Sequence, residues 1–572
     1  RGIRKMYDEL IKKMQPKPKF NLKWYKDADL YSDGDVEDKI IQLIAENEPE
    51  HYTDAIYDNF SWATYYHLIH LRKNILNWYD FKKDSDVLEI GCGMGAVTSV
   101  LCDNCKTVTA VELSKRRATA TLLRCREKEN LEIIVGNLND IQFDKKFDYI
   151  TLIGVFEYQG CYTESDNPYK DFLVRIKQLL KPDGKLFIAI ENQYGLKYWC
   201  GALEDHTGIP FDGMNQYKFT KRGVRTFSKE TLNRIIKESG FKKTYFYYPL
   251  PDYKLPTVVY SEDYLPQNGN MQNLQCYYVP DKSTLVADEM NMYKDIIDNG
   301  VFEFFANSFL VECSDSEDIG KITFATMGSE RKEKYRIATR FVENKVVEKI
   351  ALTNLCRETH LKQITKNEQV LKKYGRNVLE SNWHRSGKIV SSFEKKPLLE
   401  DKVLEAWDKK DIEQVFNVFD ILYKEILNSS EHVGWKNNIL YTLGAGIVED
   451  ELAYGPILRI AYLDMILRNA FVEDGKVCWF DQEWILEDVP AKFVLCRAIA
   501  QLYYAYPEFE KFCSMQILLD KYEIKSAYEA FQILEHMFTE LIFDEKQLVE
   551  SAAFRGTDMK ACVSNIKKLL SW

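Results

Sequence analysis

Val87-Leu88-Glu89-Ile90-Gly91-Cys92-Gly93-Met94-Gly95 is the stretch on which the fold of this chain turns. An apolar run ends in three alternating glycines, the pattern of a buried strand giving way to a tight turn, where residues without a Cβ let backbone and ligand approach closely. By itself G-x-G-x-G fits many nucleotide-like ligands. Glu112 then closes the next apolar run, about 20 residues on, where a carboxylate can accept hydrogen bonds from ribose hydroxyls. The two features together suit a dinucleotide equally well.

Outward from this turn, short apolar runs alternate with helical spacing. Strands are predicted over 85–90, 107–112, 131–135, 149–153, 185–190 and 243–248, most followed by a turn residue such as Gly91, Ser114, Gly136, Gly154 or Asn192. Helices are predicted over 115–129 and 170–180, the latter stopped by Lys181-Pro182-Asp183-Gly184. This order predicts a doubly wound, mostly parallel α/β sheet. Upstream, Leu68, Leu71, Ile75 and Leu76 predict a helix over 65–79 that covers the site. Downstream, the connection 191–225 is long and concentrates Tyr194, Tyr198, Trp199, Glu204, Asp205 and His206. Long connections at the C-terminal ends of such strands carry substrate contacts, so this segment is expected to be an acceptor lid, with Tyr194 and His206 as contact candidates.

Glu89 to Gly95, Glu112-Leu113-Ser114, Gly136-Asn137-Leu138 and Lys181-Pro182-Asp183-Gly184-Lys185 resemble successive motifs of class I S-adenosylmethionine (SAM) dependent methyltransferases. The resemblance implies a Rossmann-like domain over 1–261. It also implies that Glu89, Gly91 and Gly93 meet the amino-acid part of SAM, that Glu112 holds the ribose, and that Asn137 and Leu138 reach the adenine. Asn137 departs from the commoner Asp. Arg72, on the preceding helix, is a candidate partner of the SAM carboxylate.

A second constellation lies far downstream. Phosphoryl transfer from ATP needs a carboxylate near the attacking hydroxyl and oxygen ligands for Mg²⁺. Asp464 is the candidate catalytic acid, and Asn469 with Asp481 are the candidate Mg²⁺ ligands, Asp481 standing at the end of an apolar strand. The spacing resembles protein kinases and, with Tyr462 in place of His and Gln482-Glu483 in place of Phe-Gly, aminoglycoside-type phosphotransferases. That likeness implies Lys349 for the ATP phosphates, Glu368 as its helical partner with Glu358 the runner-up, and a hinge over 389–394 ending near Phe393. The phosphate-covering loop departs, since 326–331 holds one glycine. The implied architecture is a bilobal α+β kinase-like domain over 301–572, with a small lobe at 301–390, a large lobe at 397–572 and a connecting segment at 262–300.

A methyltransferase followed by a kinase-like domain resembles bifunctional proteins that terminate bacterial O-antigen polysaccharides. The resemblance implies phosphorylation of a terminal sugar and methylation of that phosphate, with SAM, ATP and Mg²⁺ as cofactors, a glycan or glycolipid acceptor, and a glycosyltransferase or polymerase partner. Two other readings stay open: direct methylation of a sugar hydroxyl or small molecule beside a nonreactive second half, and a nucleotide-binding regulatory protein without chemistry.

Composition sets the outer bounds. The 572 residues exceed one ordinary core, and a chain 45% hydrophobic and 29% charged is globular. A net charge of -10 argues against a general nucleic-acid binder. The 13 cysteines form no secreted framework, and Cys102 and Cys105, a lone C-x-x-C, are expected to be packing residues. With no long apolar span or signal segment, a cytoplasmic protein is expected, peripheral at most to the inner membrane face.

Overall fold

The computed structural model describes residues 2–26, 34–220, 223–267, 279, 281–444, 451–554 and 559–570. The chain forms two compact units, one of residues 1–329 with 545–572, the other of 330–544.

In the first unit the strands are β1 (Lys19–Trp24), β2 (Asp86–Ile90), β3 (Thr107–Glu112), β4 (Leu131–Gly136), β5 (Phe147–Ile153), β6 (Leu180–Glu191), β7 (Lys243–Leu250), β8 (Val258–Ser261), β9 (Ser308–Ser314) and β10 (Ile322–Met327). They lie side by side in the order β1-β4-β3-β2-β5-β6-β9-β7-β8-β10. β1 to β6 pair in parallel, with Asp86 opposite Thr107 and Val87 opposite Tyr149. Strands buried on both faces read as continuous apolar runs, and Leu88, Ile150, Leu152 and Ile188 are fully buried. The crossover helices are fixed at their starts: Ser114 accepts from Arg117 N before Lys115–Arg124, Ser228 accepts from Thr231 N before Lys229–Glu238, and Pro168 opens Pro168–Leu179.

Four expectations are corrected. β9, which falls in the stretch 301–572 assigned to the second domain, is inserted antiparallel between β6 and β7, with Val311 opposite Ile188 on one side and Phe246 on the other. β10 pairs with β8, so the first unit runs on past 301 to Ser329. The expected connector 262–300 is in part core: Tyr293 and Ile296 of the helix Tyr293–Asp298 pack with Phe302, Phe309 and Tyr248. The helix expected over 65–79 is broken. Ser61 caps Trp62–Leu68, Ile69 turns extended at ψ 134°, and a 3₁₀ segment His70–Ile75 follows. The break lets Leu71, Ile75, Leu76 and Trp78 all be buried, which a single helical stripe would not allow.

The second unit begins with an antiparallel sheet of β11 (Ile337–Val342), β12 (Val346–Ala351), β13 (Ser381–His384) and β14 (Lys388–Ser392), ordered β11-β12-β14-β13. Lys349 stands opposite Thr339 and Ile389. A helical part follows, including Ile412–Leu427, Ala491–Ala505 and Tyr528–Ile542, around a core of Phe419, Leu422, Leu495, Ile499 and Leu534. It carries the short strands β15 (His432–Val433), β16 (Ile457–Tyr462), β17 (Ala470–Glu473), β18 (Lys476–Trp479) and β19 (Ile485–Pro490). The expected end of this unit at 572 is also corrected, because 545–572 returns to the first unit.

Candidate functional site

Strand β2 delivers the chain into the glycine turn, where Gly91, Gly93 and Gly95 all have positive φ (74°, 55° and 78°). A Cβ on Gly91 would lie 2.4 Å from Val155 Cγ2, whereas one on Gly93 would enter open space. Gly93 is therefore bare toward a cavity, and Gly91 is bare toward the protein. Glu112, at the end of β3, ties the turn down: its Oε2 accepts Gly93 N at 2.8 Å and its Oε1 accepts Ser114 N at 3.0 Å.

Two cavities flank the turn, and Gly91, Gly93, Arg117, Gly154 and Tyr158 line both. The smaller, about 150 Å³, is bounded by Glu112, Asn137 and Leu138. Asn137 Oδ1 accepts Asn139 N at 2.9 Å, which aligns the turn after β4. The larger, about 650 Å³, is lined by Arg72, Glu89, Glu157, Glu191, His206 and Lys254 among others. Arg72 donates to Lys254 O at 3.0 Å and lies over the Tyr66 ring. Every SAM-site residue expected from the sequence thus lies on one of the two cavities, and His206 joins them. Tyr194 does not; its ring stacks on Phe304 with centroids 5.3 Å apart.

Glu89 is the telling side chain. It is buried, and its Oε2 has no hydrogen-bond partner. Burial, with the Glu112 carboxylate adding, pushes its carboxyl up to about 7. An uncompensated buried carboxylate at a cavity wall is costly unless a cationic or donor group meets it. The α-ammonium group of SAM would be such a partner. A bare Gly93, an acid at the end of β3 and Asn137 beside Leu138 also fit the rest of that cofactor.

The far wall of the larger cavity was only partly foreseen. His206 Nδ1 lies 3.1 Å from Tyr158 OH, and Nε2 lies 3.3 Å from Glu191 Oε2. Lys254 donates to Glu191 and, at 2.9 Å, to Asp205. Burial alone would hold His206 neutral, but Glu191 and then Glu157 outweigh it and raise the imidazole to about 9. Glu157 is pushed the other way for an acid, up to about 8, by burial and the neighbouring Glu191. Glu157, Glu191 and Lys254 were missed because they come from the loop after β5, the end of β6 and a turn after β7, and no spacing along the chain links them.

In the second unit the expected groups also meet. Lys349 on β12 donates to Asp481. Asn469 Nδ2 donates to Asp464 O at 3.2 Å, and Asp464 Oδ2 accepts the backbone N–H groups of Glu483 and Trp484, both at 3.0 Å. Burial, with Glu483 and Asp481 nearby, pushes Asp464 up to about 7. Glu368 takes the Ser381 hydroxyl, not Lys349, while Glu358, at the end of the helix Asn354–Glu358, accepts from exposed Lys362 of the helix that follows. Phe393 packs edge-on to Phe341 just beyond β14. The sequence assigns Glu483 no role: it accepts from Arg331 at 2.6 Å and meets His360 at 2.5 Å, and the Arg331 charge with the His360 hydrogen bond holds it down at about 2 despite burial. The expected phosphate-covering loop 326–331 is divided, since Ser329 lies in the first unit, held by Asn74 and Gln547.

Comparison with known proteins concerns the first unit. Residues 88–188 match the methyltransferase domain family model. An uncharacterized methyltransferase of Staphylococcus carnosus is 34% identical over 115 residues, 20% of this chain and 51% of that protein. The ribosomal RNA small subunit methyltransferase A of Malacoplasma penetrans is 36% identical over 76 residues, 13% of this chain and 26% of that one. Among solved structures, the N-methyltransferase NodS of Bradyrhizobium japonicum with S-adenosyl-L-homocysteine has 13% identity and a TM-score of 0.27, covering 47% of this chain and all of its own. The chain thus spans only about half and about a quarter of the length of these curated relatives. Residues 88–188 carry a methyltransferase domain in an α/β, Rossmann-like fold.

Proposed function

We propose that this chain transfers a methyl group from SAM, and that its second unit first phosphorylates the acceptor. The methyl-transfer half rests above all on the buried Glu89 carboxylate, whose Oε2 has no hydrogen-bond partner, beside the bare Gly93. SAM supplies an electrophilic methyl on sulfur. The chain's part is to bind and orient: Glu89 and Arg72 at the amino-acid end, Glu112 at the ribose, Asn137 and Leu138 at the adenine. A phosphate oxygen as acceptor needs positioning and no strong base, and His206 and Lys254 offer hydrogen-bond donors among the carboxylates of that wall.

The phosphorylation half is supported by the meeting of Lys349 with Asp481 and of Asp464 with Asn469. Asp464 would orient a sugar hydroxyl, Lys349 would hold ATP phosphates, and Asn469 with Asp481 would hold Mg²⁺. The whole chain then caps a bacterial surface polysaccharide, taking a glycan or glycolipid acceptor from a glycosyltransferase or polymerase. Among the described residues no helix is long and apolar enough to cross a membrane.

A second reading draws on one observation: Glu368 engages Ser381 instead of Lys349. In it, the second unit binds the glycan without reacting, and methyl goes directly to a hydroxyl. Incubation with ATP, Mg²⁺ and glycan, comparing the wild type with Asp481→Ala, separates the two. Metal-dependent phosphate incorporation lost in the variant supports the two-step scheme; methylation without any phosphorylation overturns it.

A further inference from the structure

The acceptor wall holds more carboxylate than its cations balance. Glu157, Glu191, Glu204, Asp205 and Asp252 are all buried or nearly so, and they outnumber the ammonium groups of Lys197 and Lys254. Lys197 and Lys254 are committed to Asp205, Asp252 and Glu191. Glu157 is left over. It is 1% exposed, lines the cavity, and its Oε2 has no hydrogen-bond partner.

We propose that Glu157, Glu191 and His206 bind a divalent cation in the larger cavity. A ligand atom from each lies within 4.8 Å of the other two. The orientation of each group favours this use. Glu191 gives Oε1 to Lys254 and to Tyr253 OH at 3.3 Å, which leaves Oε2 facing His206 Nε2. His206 is gripped from behind: Nδ1 meets Tyr158 OH, and its backbone N donates to Glu204 Oε2 at 2.9 Å. A ring nitrogen fixed by a hydrogen bond while the other faces carboxylates is how metal-bound imidazoles are oriented. Binding displaces the imidazole proton.

Two carboxylate oxygens and one imidazole form a mixed set that suits Mn²⁺ or Zn²⁺ better than Ca²⁺, which prefers oxygen alone. Three protein ligands leave positions open toward the cavity, where an acceptor oxygen would complete the shell. That last role rests on the methyltransferase reading; the binding itself does not. This site is separate from the Asn469 and Asp481 pair of the second unit.

The test uses the full chain carrying Asp481→Ala, so that metal at the second unit does not contribute, stripped with chelator and titrated with MnCl₂ while free Mn²⁺ is followed by electron paramagnetic resonance. One tightly held ion is expected, weakened at least tenfold by adding Glu157→Gln and again by His206→Gln in its place. X-ray absorption of the Zn²⁺-loaded protein provides a readout without further substitution, with one nitrogen among oxygen ligands expected. Absence of a tight ion, binding indifferent to both substitutions, or a shell without nitrogen overturns the proposal. A parallel SAM titration keeps the two readings apart, since SAM bound without metal refutes only the metal site, and metal bound without SAM refutes only the cofactor assignment.

Discussion

The Glu112 carboxylate reaches back across the strand ends to accept the Gly93 N–H at 2.8 Å, so one side chain both shapes the glycine turn and faces the smaller cavity. A hydrogen bond to a charged group contributes about 1.5–3 kcal/mol. Glu112→Ala is expected to weaken SAM binding by about 10- to 100-fold, measured by calorimetry. Unchanged affinity would mean that the ribose does not lie on β3.

Gly93→Ala separates space from strain. Its Cβ would meet no protein atom within 4 Å, so the fold bears only the cost of a left-handed residue, about 1–2 kcal/mol. The methyl would instead occupy the cavity. A small drop in melting temperature with a large loss of SAM affinity is expected. Gly91→Ala, which drives a carbon into Val155, should lower both together.

Glu89 gives a pH signature. Its carboxyl is held at about 7 in the folded protein against 4.5 in a free chain, so between those values the unfolded chain holds fewer protons and stability falls as pH rises. The full penalty, on the order of 3 kcal/mol, is reached above about pH 7. Glu89→Gln mimics the protonated acid. In ligand-free protein it should match the wild type near pH 5 and melt higher near pH 8; the reverse order would show that Glu89 is already compensated by the protein.

What could be read from sequence follows from distance along the chain. Glu89, the glycines, Glu112 and Asn137 sit at the ends of consecutive parallel strands, and a buried parallel strand announces itself as an apolar run closed by a turn. β9 announces itself equally well, as Ser308-Phe309-Leu310-Val311, but its partners Ile188 and Phe246 lie far upstream, and periodicity does not say which sheet a strand joins. The helix over 65–79 failed because its apolar spacing is right for a helix while its burial runs all around. Glu157, Glu191 and Lys254 meet only through tertiary folding. In the second unit the spacing of Asp464, Asn469 and Asp481 was legible, whereas Glu483 was not, since its partners Arg331 and His360 lie more than a hundred residues upstream.

Glu483 anchors the second unit. It is 6% exposed and joins Arg331 and His360, whose ring stacks on Trp484 with centroids 4.4 Å apart. Removing one partner of a buried ion pair costs about 3–5 kcal/mol because the remaining charge is stranded. Glu483→Gln is therefore expected to lower the unfolding transition of the second unit and leave SAM affinity in the first unchanged, followed by hydrogen exchange across 330–544.

Asp464 tests the chemistry of the same unit. Its Oδ2 is pinned by two backbone N–H groups, and its carboxyl is raised to about 7, a value at which a group can take up a hydroxyl proton near neutral pH. Asp464→Asn keeps the shape but presents an amide in place of an acceptor oxygen at one position. Loss of general-base catalysis is worth about 10²- to 10⁴-fold, so phosphate transfer to glycan should fall by that much. On the proposed two-step scheme, in which Lys349 holds the ATP phosphates, nucleotide affinity should hold. Lys349→Ala should do the opposite, weakening ATP binding in an equilibrium titration before any turnover is measured. If Asp464→Asn leaves phosphorylation intact, or if Lys349→Ala leaves ATP affinity intact, the meeting of these groups around Asp481 is structural, and the second unit serves the methyltransferase as a binding platform only.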